Sequence, residues 1–284
     1  MTKAAALAED AAATLAAAGV PAPEWDAERL LCHVLGWDRA ALVANPGRLV
    51  PQPEAERFRE LVRRRASREP LQHILGTQAF WKHEFLVTPA VLVPRPETEL
   101  LVETSLALLK EVERPLIADV GTGSGCIALS LAAERPDAEV HAIDISAPAL
   151  AVAAENARRL GLEGRVFFHQ GDLLEPVAHL AGQIDLVVSN PPYVDPGDRE
   201  SLAPEVRDHE PALALFPPDG PLSLYRRLAG ESASSLRPAG WLVVELGQGQ
   251  AAAVETLCRE SGLVPERLAR DLAGIPRCLA CRRA

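Results

Sequence analysis

The chain has 284 residues, of which 48% are hydrophobic and 24% are charged, and its formal net charge is −10. This composition is typical of a globular protein and excludes collagen-like and fully disordered chains. No apolar run approaches the roughly 18 residues that a membrane span needs. Glu9 and Asp10 interrupt the Ala-rich N-terminus where a signal peptide needs an uncharged segment. We therefore expect a cytoplasmic protein with no membrane span.

The charge is distributed unevenly along the chain. Residues 1–75 contain ten basic and ten acidic side chains, whereas residues 76–284 contain nineteen basic and twenty-nine acidic ones. An acidic body is a poor non-specific binder of polyanions, because phosphate contacts depend on Lys and Arg. The neutral part contains an arginine cluster: Arg57, Arg59, Arg63, Arg64, Arg65 and Arg68. We interpret this arginine cluster as a solvated helix face interleaved with glutamates. The alternative is a docking patch for an acidic partner or RNA.

The five cysteines are scattered, which is not the pattern of a disulfide framework. Cys278 and Cys281 form an isolated Cys-x-x-Cys pair in a segment that reads as a β-strand. Residues three apart on a strand point to opposite faces of the sheet. We therefore expect no metal site there.

The first 76 residues predict a small helical domain. Candidate helices span residues 3–18, 24–35, 39–44 and 53–68, and Gly and Pro residues separate them. Residues 77–96 change character, because they combine clustered aromatic residues with repeated prolines. We predict a hairpin linker for this segment.

Strands and helices alternate from residue 97 to the end of the chain. Seven strands are predicted at residues 116–120, 139–143, 166–169, 184–189, 241–246, 263–269 and 277–282, most of them joined by helices. This alternation predicts an α/β fold with a Rossmann-like, mostly parallel sheet. The last two strands lie too close together for a helical crossover, so they should pair antiparallel. Residues 194–221 are predicted to form a long, acidic, Pro-rich loop, a type of segment that is usually functional or mobile.

A Gly-rich turn follows the first strand of the predicted sheet and precedes a helix. Its residues are Gly121, Thr122, Gly123, Ser124 and Gly125. Glycines let the backbone approach a ligand closely at a helix N-terminus. Cys126 occupies the position where the dinucleotide fingerprint needs Gly or Ala, which argues against an NAD-dependent dehydrogenase. A turn that serves only tight packing is the alternative.

Acidic residues follow the next two strands. Asp144 ends the second strand, where a carboxylate can accept hydrogen bonds from both ribose hydroxyls. Asp172 and Leu173 follow the third, where they could hold an adenine amino group and cover the ring. Each residue alone could be a helix cap. The carboxyl ends of parallel strands meet at one sheet edge, so together they predict a nucleotide-like cofactor site.

The fourth strand ends in the turn Asn190-Pro191-Pro192-Tyr193. An amide or exocyclic amine nitrogen is a poor nucleophile, because its lone pair is delocalised. Two acceptors, the Asn190 side-chain oxygen and the Pro191 carbonyl, could take its two hydrogens and direct the lone pair toward an electrophile. Prolines restrict the backbone and make the turn rigid, and Tyr193 could stack on a planar target. A purely structural Pro-rich turn is the alternative.

These two motifs resemble those of the S-adenosylmethionine-dependent methyltransferases that act on planar nitrogen. Other segments narrow the resemblance to the protein-(glutamine-N5) methyltransferases of class 1 peptide chain release factors, and the match covers essentially the whole chain. These segments are Arg65-x-x-x-Glu-Pro70-Leu-Gln-His-Ile, Phe80-Trp81, Leu92-Val-Pro-Arg-Pro-Glu-Thr-Glu99, Glu245-Leu-Gly, and Arg270-Asp-Leu-Ala-Gly-Ile-Pro-Arg277.

The resemblance implies a helical domain at residues 1–76 for substrate docking, a linker at 77–96 and a methyltransferase domain at 97–284. It implies that S-adenosylmethionine contacts the Gly-rich turn, Asp144, Leu173 and Asn190. It also implies that the Asn190–Tyr193 turn holds the glutamine of a Gly-Gly-Gln loop, and that residues 95–98 border the methionine end of the donor. Leu173 departs from those family members that have an aromatic residue there.

Two other functions remain as alternatives. A nucleic-acid adenine-N6 or guanine-N2 methyltransferase uses the same Asn-Pro-Pro-Tyr device, but residues 76–284 have no obvious basic stretch. A non-catalytic ligand-binding scaffold is disfavoured by the intact turn. We therefore expect a release factor as the partner, rather than nucleic acid or a membrane.

Overall fold

The computed structural model describes all 284 residues and divides the chain into two compact units. The first unit comprises Met1–Thr77 together with Ala203–His209, and the second comprises Gln78–Leu202 and Glu210–Ala284. The first unit thus includes a short segment from late in the chain, which the sequence analysis did not predict. None of the helices has the length and apolarity needed to cross a membrane.

Helices dominate the first unit. Residues 1–77 contain two short strands, which pair antiparallel, and five helices, of which four were predicted. The elements are β1 (Thr2–Lys3), α1 (Ala4–Ala17), α2 (Pro23–Leu35), α3 (Arg39–Ala44), β2 (Leu49–Val50), α4 (Gln52–Ala66) and α5 (Leu71–Leu75). The first four helices match the predicted ones to within two residues, whereas α5 and the strand pair were not predicted. Leu15, Leu30, Leu31 and Phe58 are fully buried in the core of this unit.

The arginine cluster is a solvated face only in part: Arg57, Arg59 and Arg63 are exposed, as expected, whereas Arg65 is buried. Arg65 is only 5% exposed, and its guanidinium donates hydrogen bonds to Asp26 at 2.7 Å and Glu205 at 2.8 Å. Arg68 donates two further bonds to Glu205, at 2.7 and 2.6 Å. Two other members of the cluster pair with glutamates nearby in sequence, Arg63 with Glu60 and Arg64 with Glu69. Most of the cluster is therefore neutralised within the unit, because its guanidiniums hold carboxylates.

A seven-stranded sheet forms the centre of the second unit and confirms the predicted fold class. A two-stranded hairpin, β3 (Thr77–Phe80) and β4 (His83–Leu86), precedes it. The sheet strands are β5 (Leu116–Val120), β6 (Glu139–Asp144), β7 (Val166–Gln170), β8 (Ile184–Ser189), β9 (Leu236–Glu245), β10 (Leu263–Arg270) and β11 (Pro276–Arg283). Their order is β10-β11-β9-β8-β5-β6-β7. The pairings from β7 to β9 are parallel, whereas β11 pairs antiparallel with both β9 and β10.

Helices cover both faces of this sheet. They are α6 (Glu99–Leu108), α7 (Cys126–Glu134), α8 (Ala147–Leu160), α10 (Ala212–Leu215), α11 (Ser223–Ser235) and α12 (Ala251–Glu260). Helix α9 (Pro204–His209) belongs to the first unit. Residues of β5, β6, β8, β9 and β11 are divided between two separate apolar clusters, one on each face of the sheet. Cys278 belongs to one cluster and Cys281 to the other, which confirms that the Cys-x-x-Cys pair points to opposite faces.

The predicted long loop at residues 194–221 is wrong in one respect, because it contains short helices. A 3-10 turn spans Pro196–Ser201, and helices α9 and α10 follow it. Pro196 and Pro204 begin the first two of these elements, and Pro211 precedes the third. The fixed φ of proline suits the first turn of a helix. The prolines that we interpreted as loop residues therefore start helical turns.

Candidate active site

A cleft of about 310 Å³ opens at the carboxyl ends of β5, β6 and β8. The strand order reverses here, since the chain moves outward from β5 to β7 and returns on the other side with β8. Such a reversal is the usual ligand site of open α/β sheets. The cleft wall includes ten of the twelve predicted site residues: Gly121, Thr122, Gly123, Ser124, Asp144, Asp172, Leu173, Asn190, Pro191 and Pro192. Gly125 and Tyr193 do not line it.

The Gly-rich turn takes a backbone conformation that favours glycine. Gly121, Gly123 and Gly125 all have positive φ, at 72°, 56° and 81°. A Cβ on Gly123 would meet no atom within 4 Å, whereas one on Gly125 would lie 3.0 Å from Leu129 and 3.1 Å from Ala153. Gly123 is thus open to the cleft, and Gly125 is needed for close packing between α7 and α8.

Asp144 connects the end of β6 to this turn. Its Oδ2 accepts a hydrogen bond from the Gly123 N–H at 2.8 Å, and its Oδ1 accepts one from the Ser146 N–H at 2.9 Å. Burial raises the pKa of Asp144. Each carboxylate oxygen has more than one acceptor position. The Asp144 carboxylate can therefore hold the turn and still accept hydroxyl groups of a ligand.

A second carboxylate lies beneath the turn. Asp119 is fully buried, and its Oδ2 accepts hydrogen bonds from the Thr122 hydroxyl at 2.7 Å and the Ala128 N–H at 3.1 Å. Its Oδ1 has no partner within the protein, and burial raises the pKa of Asp119 to about 7. Asp119 thereby joins the turn to α7. The sequence analysis did not name Asp119 as a site residue.

The carboxylate of Asp172, which follows β7, already has a partner within the protein. Asp172 accepts a hydrogen bond from the Arg227 guanidinium at 2.7 Å, and both residues line the cleft. Leu173 has a φ of 46°, which is rare for a bulky residue and costs conformational energy. This backbone conformation places Leu173 in the wall beside Asp172. The predicted contacts of both residues with adenine stay predictions.

The Asn190–Tyr193 turn forms another part of the wall. The Asn190 amide Nδ2 donates a hydrogen bond to Thr98 Oγ1 at 3.3 Å. The Asn190 Oδ1 and the Pro191 carbonyl, the two acceptors proposed from the sequence, accept no hydrogen bond from the protein. The Tyr193 hydroxyl instead donates to Glu245 at 3.2 Å, and its ring lies outside the cleft wall. Stacking of Tyr193 on a substrate therefore stays a prediction.

Residues after α9 complete the cleft wall. Pro211, Leu213, Ala214 and Phe216 line it, although the sequence analysis named none of them as site residues. The Arg95 guanidinium, also in the wall, contacts both carboxylate oxygens of Glu210 at 2.6 and 2.8 Å. The Glu210 side chain is 1% exposed, so this pair anchors the start of the segment. The acidic, Pro-rich composition of residues 194–221 was the one sequence feature that pointed to a functional role of this segment.

The fold and this cleft define a methyltransferase, and comparison with known proteins supports that class. Residues 6–76 match the family model described as the PrmC N-terminal domain, and residues 96–209 match the methyltransferase small domain.

Similar proteins identify the family within the methyltransferase class. A release factor glutamine methyltransferase from Rhodospirillum rubrum is 44% identical over 95% of this chain and 82% of its own length. One from Moorella thermoacetica is 46% identical over 96% of both chains. A solved protein-(glutamine-N5) methyltransferase from Alicyclobacillus acidocaldarius is 34% identical over 70% of this chain and 99% of its own, with a TM-score of 0.41. The chain belongs to the release factor glutamine methyltransferase family.

Proposed function

We propose that this enzyme transfers a methyl group from S-adenosylmethionine to the side-chain amide nitrogen of the glutamine in the Gly-Gly-Gln motif of class 1 release factors. One observation carries the proposal: the Gly-rich turn, Asp144 and the Asn190 turn line the same cleft. The names of the relatives support the substrate class. We further propose that the reaction takes place in the cytoplasm.

The cleft residues fit the methyl donor. Gly123 leaves space where a side chain would otherwise project, and Asp144 supplies acceptors for ribose hydroxyls. Leu173 and Ile127 provide apolar surface for a flat base, and Asp172 has a carboxylate for its amino group. The aliphatic and acidic residues of the wall thus match a nucleoside, and Arg95 and Thr98 also line the cleft.

When bound, S-adenosylmethionine would supply a methyl carbon on a positively charged sulfur, and this sulfur would leave as a neutral thioether as the amide nitrogen bonds to the carbon. The Asn190 Oδ1 and the Pro191 carbonyl accept the two amide hydrogens of the glutamine and orient its nitrogen lone pair. Neither oxygen accepts a hydrogen bond from the protein, so both are available for this role. The methylated nitrogen gives one proton to water, so the step needs no strong base. Catalysis rests on orientation and electrostatics.

Mass spectrometry provides the direct test. Full-length enzyme, S-adenosylmethionine and a release factor are incubated together, and the Gly-Gly-Gln peptide is analysed. We expect the mass of one added methylene on the glutamine, and none when that glutamine is replaced by Glu. Transfer to another residue, or to duplex DNA or ribosomal RNA instead, would contradict the proposal.

The Asn190→Ala variant tests the proposed orientation. We expect its transfer rate to fall by about 10²–10³, because one positioned polar group of this kind contributes that much. Donor affinity, measured by calorimetry, should change little. A parental rate in Asn190→Ala would exclude the proposed role of this side chain.

A further inference from the structure

A chain of hydrogen bonds connects the Asn190 amide to a carboxylate outside the predicted site. Asn190 Nδ2 donates to Thr98 Oγ1 at 3.3 Å, and Thr98 Oγ1 donates to Glu245 Oε2 at 2.5 Å. Thr98 is 2% exposed and Glu245 is 3% exposed, so water does not compete freely with these bonds. The chain crosses from the 3-10 turn before α6 to the end of β9.

The positions of the hydrogen atoms determine which group donates and which accepts in this series of hydrogen bonds. A threonine hydroxyl has one hydrogen, and Thr98 uses it on Glu245. The Thr98 oxygen can then only accept a hydrogen bond from Asn190, so it faces the NH2 end of the amide. The two ends of a planar amide lie on opposite sides, and the Asn190 oxygen therefore points away from Thr98.

Glu245 can set this direction only while it has no proton to donate. Its second oxygen, Oε1, accepts a hydrogen bond from the Tyr193 hydroxyl at 3.2 Å. Tyr193 is itself held in place, because Gln250 Nε2 donates to its carbonyl at 3.0 Å. A Cβ on Gly247 would lie 2.9 Å from the Tyr193 ring, so the ring packs closely there. Both oxygens of the Glu245 carboxylate thus accept hydrogen bonds, one from Thr98 and one from Tyr193.

We propose that Glu245 is a positioning residue, which acts through Thr98 to make Asn190 present its side-chain oxygen, and not its NH2 group, to the substrate. This inference rests on the proposed function, since the oxygen is needed to accept a substrate N–H. Glu245 does not touch the substrate. Its contribution is the orientation of a group that does.

Protonation of Glu245 would reverse the chain. A proton taken up by Glu245 lies in the shorter of its two contacts, the one to Thr98, and Glu245 then becomes the donor. The hydrogen of the buried Thr98 hydroxyl then needs a new acceptor, and Asn190 is the other side chain in contact with that hydroxyl, so its amide rotates to offer its oxygen. The NH2 group of Asn190 then faces the NH2 group of the substrate, and two donors cannot bond.

The surroundings of Glu245 place this change near neutral pH. Burial raises the pKa of Glu245 to about 7, against the lowering effect of hydrogen bonds from Thr98 and Tyr193. The charged and titratable groups that face Glu245 from the neighbouring elements are Arg277, Glu97, Tyr193, Tyr225, Cys126 and Cys278. Arg277 opposes and Glu97 favours protonation.

Two Thr98 variants of the full-length enzyme test the connection. Thr98→Val has the same shape but no hydroxyl, and we expect single-turnover methylation of release factor to slow about 10²-fold. Thr98→Ser should recover most of the rate. Recovery in Thr98→Ser would show that the hydroxyl itself is needed, because a merely structural defect would not be reversed by the smaller side chain. The matched control is Thr104→Val on α6, which removes a hydroxyl that contacts Cys278 Sγ at 3.6 Å.

A Glu245→Gln variant and the pH profile provide the second test, even if Thr98→Val does not fold. If Tyr193 keeps its donated bond to the Gln oxygen, the Gln NH2 group faces Thr98 and imitates the protonated carboxyl at every pH. We expect the wild-type rate to fall tenfold per pH unit below about pH 7, and the rate of Glu245→Gln to be low and independent of pH.

The outcomes separate the two proposals. If the wild-type enzyme does not methylate the release factor glutamine, the proposed function fails. If it does, an unchanged rate in Thr98→Val, or a rate in Glu245→Gln equal to the wild-type rate at pH 8.5, overturns the positioning role of Glu245.

Discussion

The Asp144 carboxylate accepts a hydrogen bond from the Gly123 backbone N–H at 2.8 Å, and this contact joins the end of β6 to the Gly-rich turn. The same carboxylate holds the Ser146 N–H at 2.9 Å, just before α8. One side chain therefore fixes the shape of the turn and offers acceptors to the cleft. Both effects depend on two acceptor oxygens.

Replacement of Asp144 by Asn tests that dependence. Asn has one acceptor oxygen, so its NH2 group must face either the Gly123 or the Ser146 N–H. We expect S-adenosylmethionine affinity to fall at least tenfold, about 1.4 kcal/mol, in calorimetry. Asp137→Asn, at an exposed ion pair with Arg135, is the control and should bind normally. Equal affinities in the two variants would remove Asp144 from the donor site.

Gly125→Ala probes the packing beneath the turn. The new Cβ would lie 3.0 Å from Leu129 and 3.1 Å from Ala153, in a backbone with a φ of 81°. We expect a loss of about 2–4 kcal/mol in the free energy of unfolding, from left-handed strain together with overpacking. Gly161→Ala has a similar φ of 68° but no atom within 4 Å, so it should lose only the strain contribution. Chemical denaturation measures both variants, and equal losses would show that packing at Gly125 is unimportant.

The bonds between Glu205 and the two arginines hold Ala203–His209 within the helical unit. We expect Glu205→Gln to lose about 1.5–3 kcal/mol of local stability, because the two guanidiniums lose the carboxylate charge that compensates them and one of its two acceptor oxygens. Trypsin should then cleave faster after Arg207, as mass spectrometry can follow. Glu60→Gln breaks an exposed pair with Arg63 and should leave this cleavage rate unchanged. Unaltered cleavage in Glu205→Gln would contradict the anchoring role.

The Glu205 contacts should also weaken in acid. Burial opposes ionisation of Glu205, but hydrogen bonds from Arg68 and Arg65 hold its pKa at about 2. A carboxyl with a lowered pKa stabilises the folded state above its unfolded pKa, and this contribution disappears as the pH falls toward 2. We therefore expect cleavage after Arg207 by an acid-tolerant protease of matched specificity to accelerate between pH 4 and pH 2 in the wild type. Glu205→Gln should not show this acceleration.

The raised pKa of Glu245 predicts a pH dependence of stability opposite to that of Glu205. Its raised pKa of about 7 means that the folded state keeps a proton that the unfolded state has lost, between about pH 4.5 and 7. The wild type should lose stability relative to Glu245→Gln as the pH rises through this window, by up to about 3 kcal/mol. Urea denaturation at pH 5 and pH 8 measures the difference. A constant difference between the two proteins would mean that Glu245 is ionised in both states throughout.

Local patterns were sufficient to predict most of the fold. Helices α1 to α4 and strands β5 to β8 lie within two residues of their predicted bounds, because apolar periodicity and Gly or Pro stops mark them in the sequence. The antiparallel pairing of β10 and β11 followed from the short connection between them. Strand β9 was the exception: it begins at Leu236, five residues earlier than predicted, and Pro238 and Gly240 lie inside it.

The cleft was also predictable in outline. Asp144, Asp172 and Asn190 each follow a strand, and parallel strands bring their carboxyl ends to one edge of the sheet. Side-chain partners were not predictable in this way. Asp172 is held by Arg227, 55 residues away, and the ring of Tyr193 lies outside the cleft wall. Periodicity carries no information about which polar groups meet across such distances.

The sequence by itself determined the alternation of strands and helices, and with it the edge of the sheet where the motifs gather, because both depend on residues close together in the chain. Only the tertiary structure decided that Thr98 meets Glu245 across 147 residues, and that Ala203–His209 joins the helical unit. Those contacts arise when buried polar groups find partners that compensate for lost hydration. Their identity depends on the packed arrangement of the whole chain.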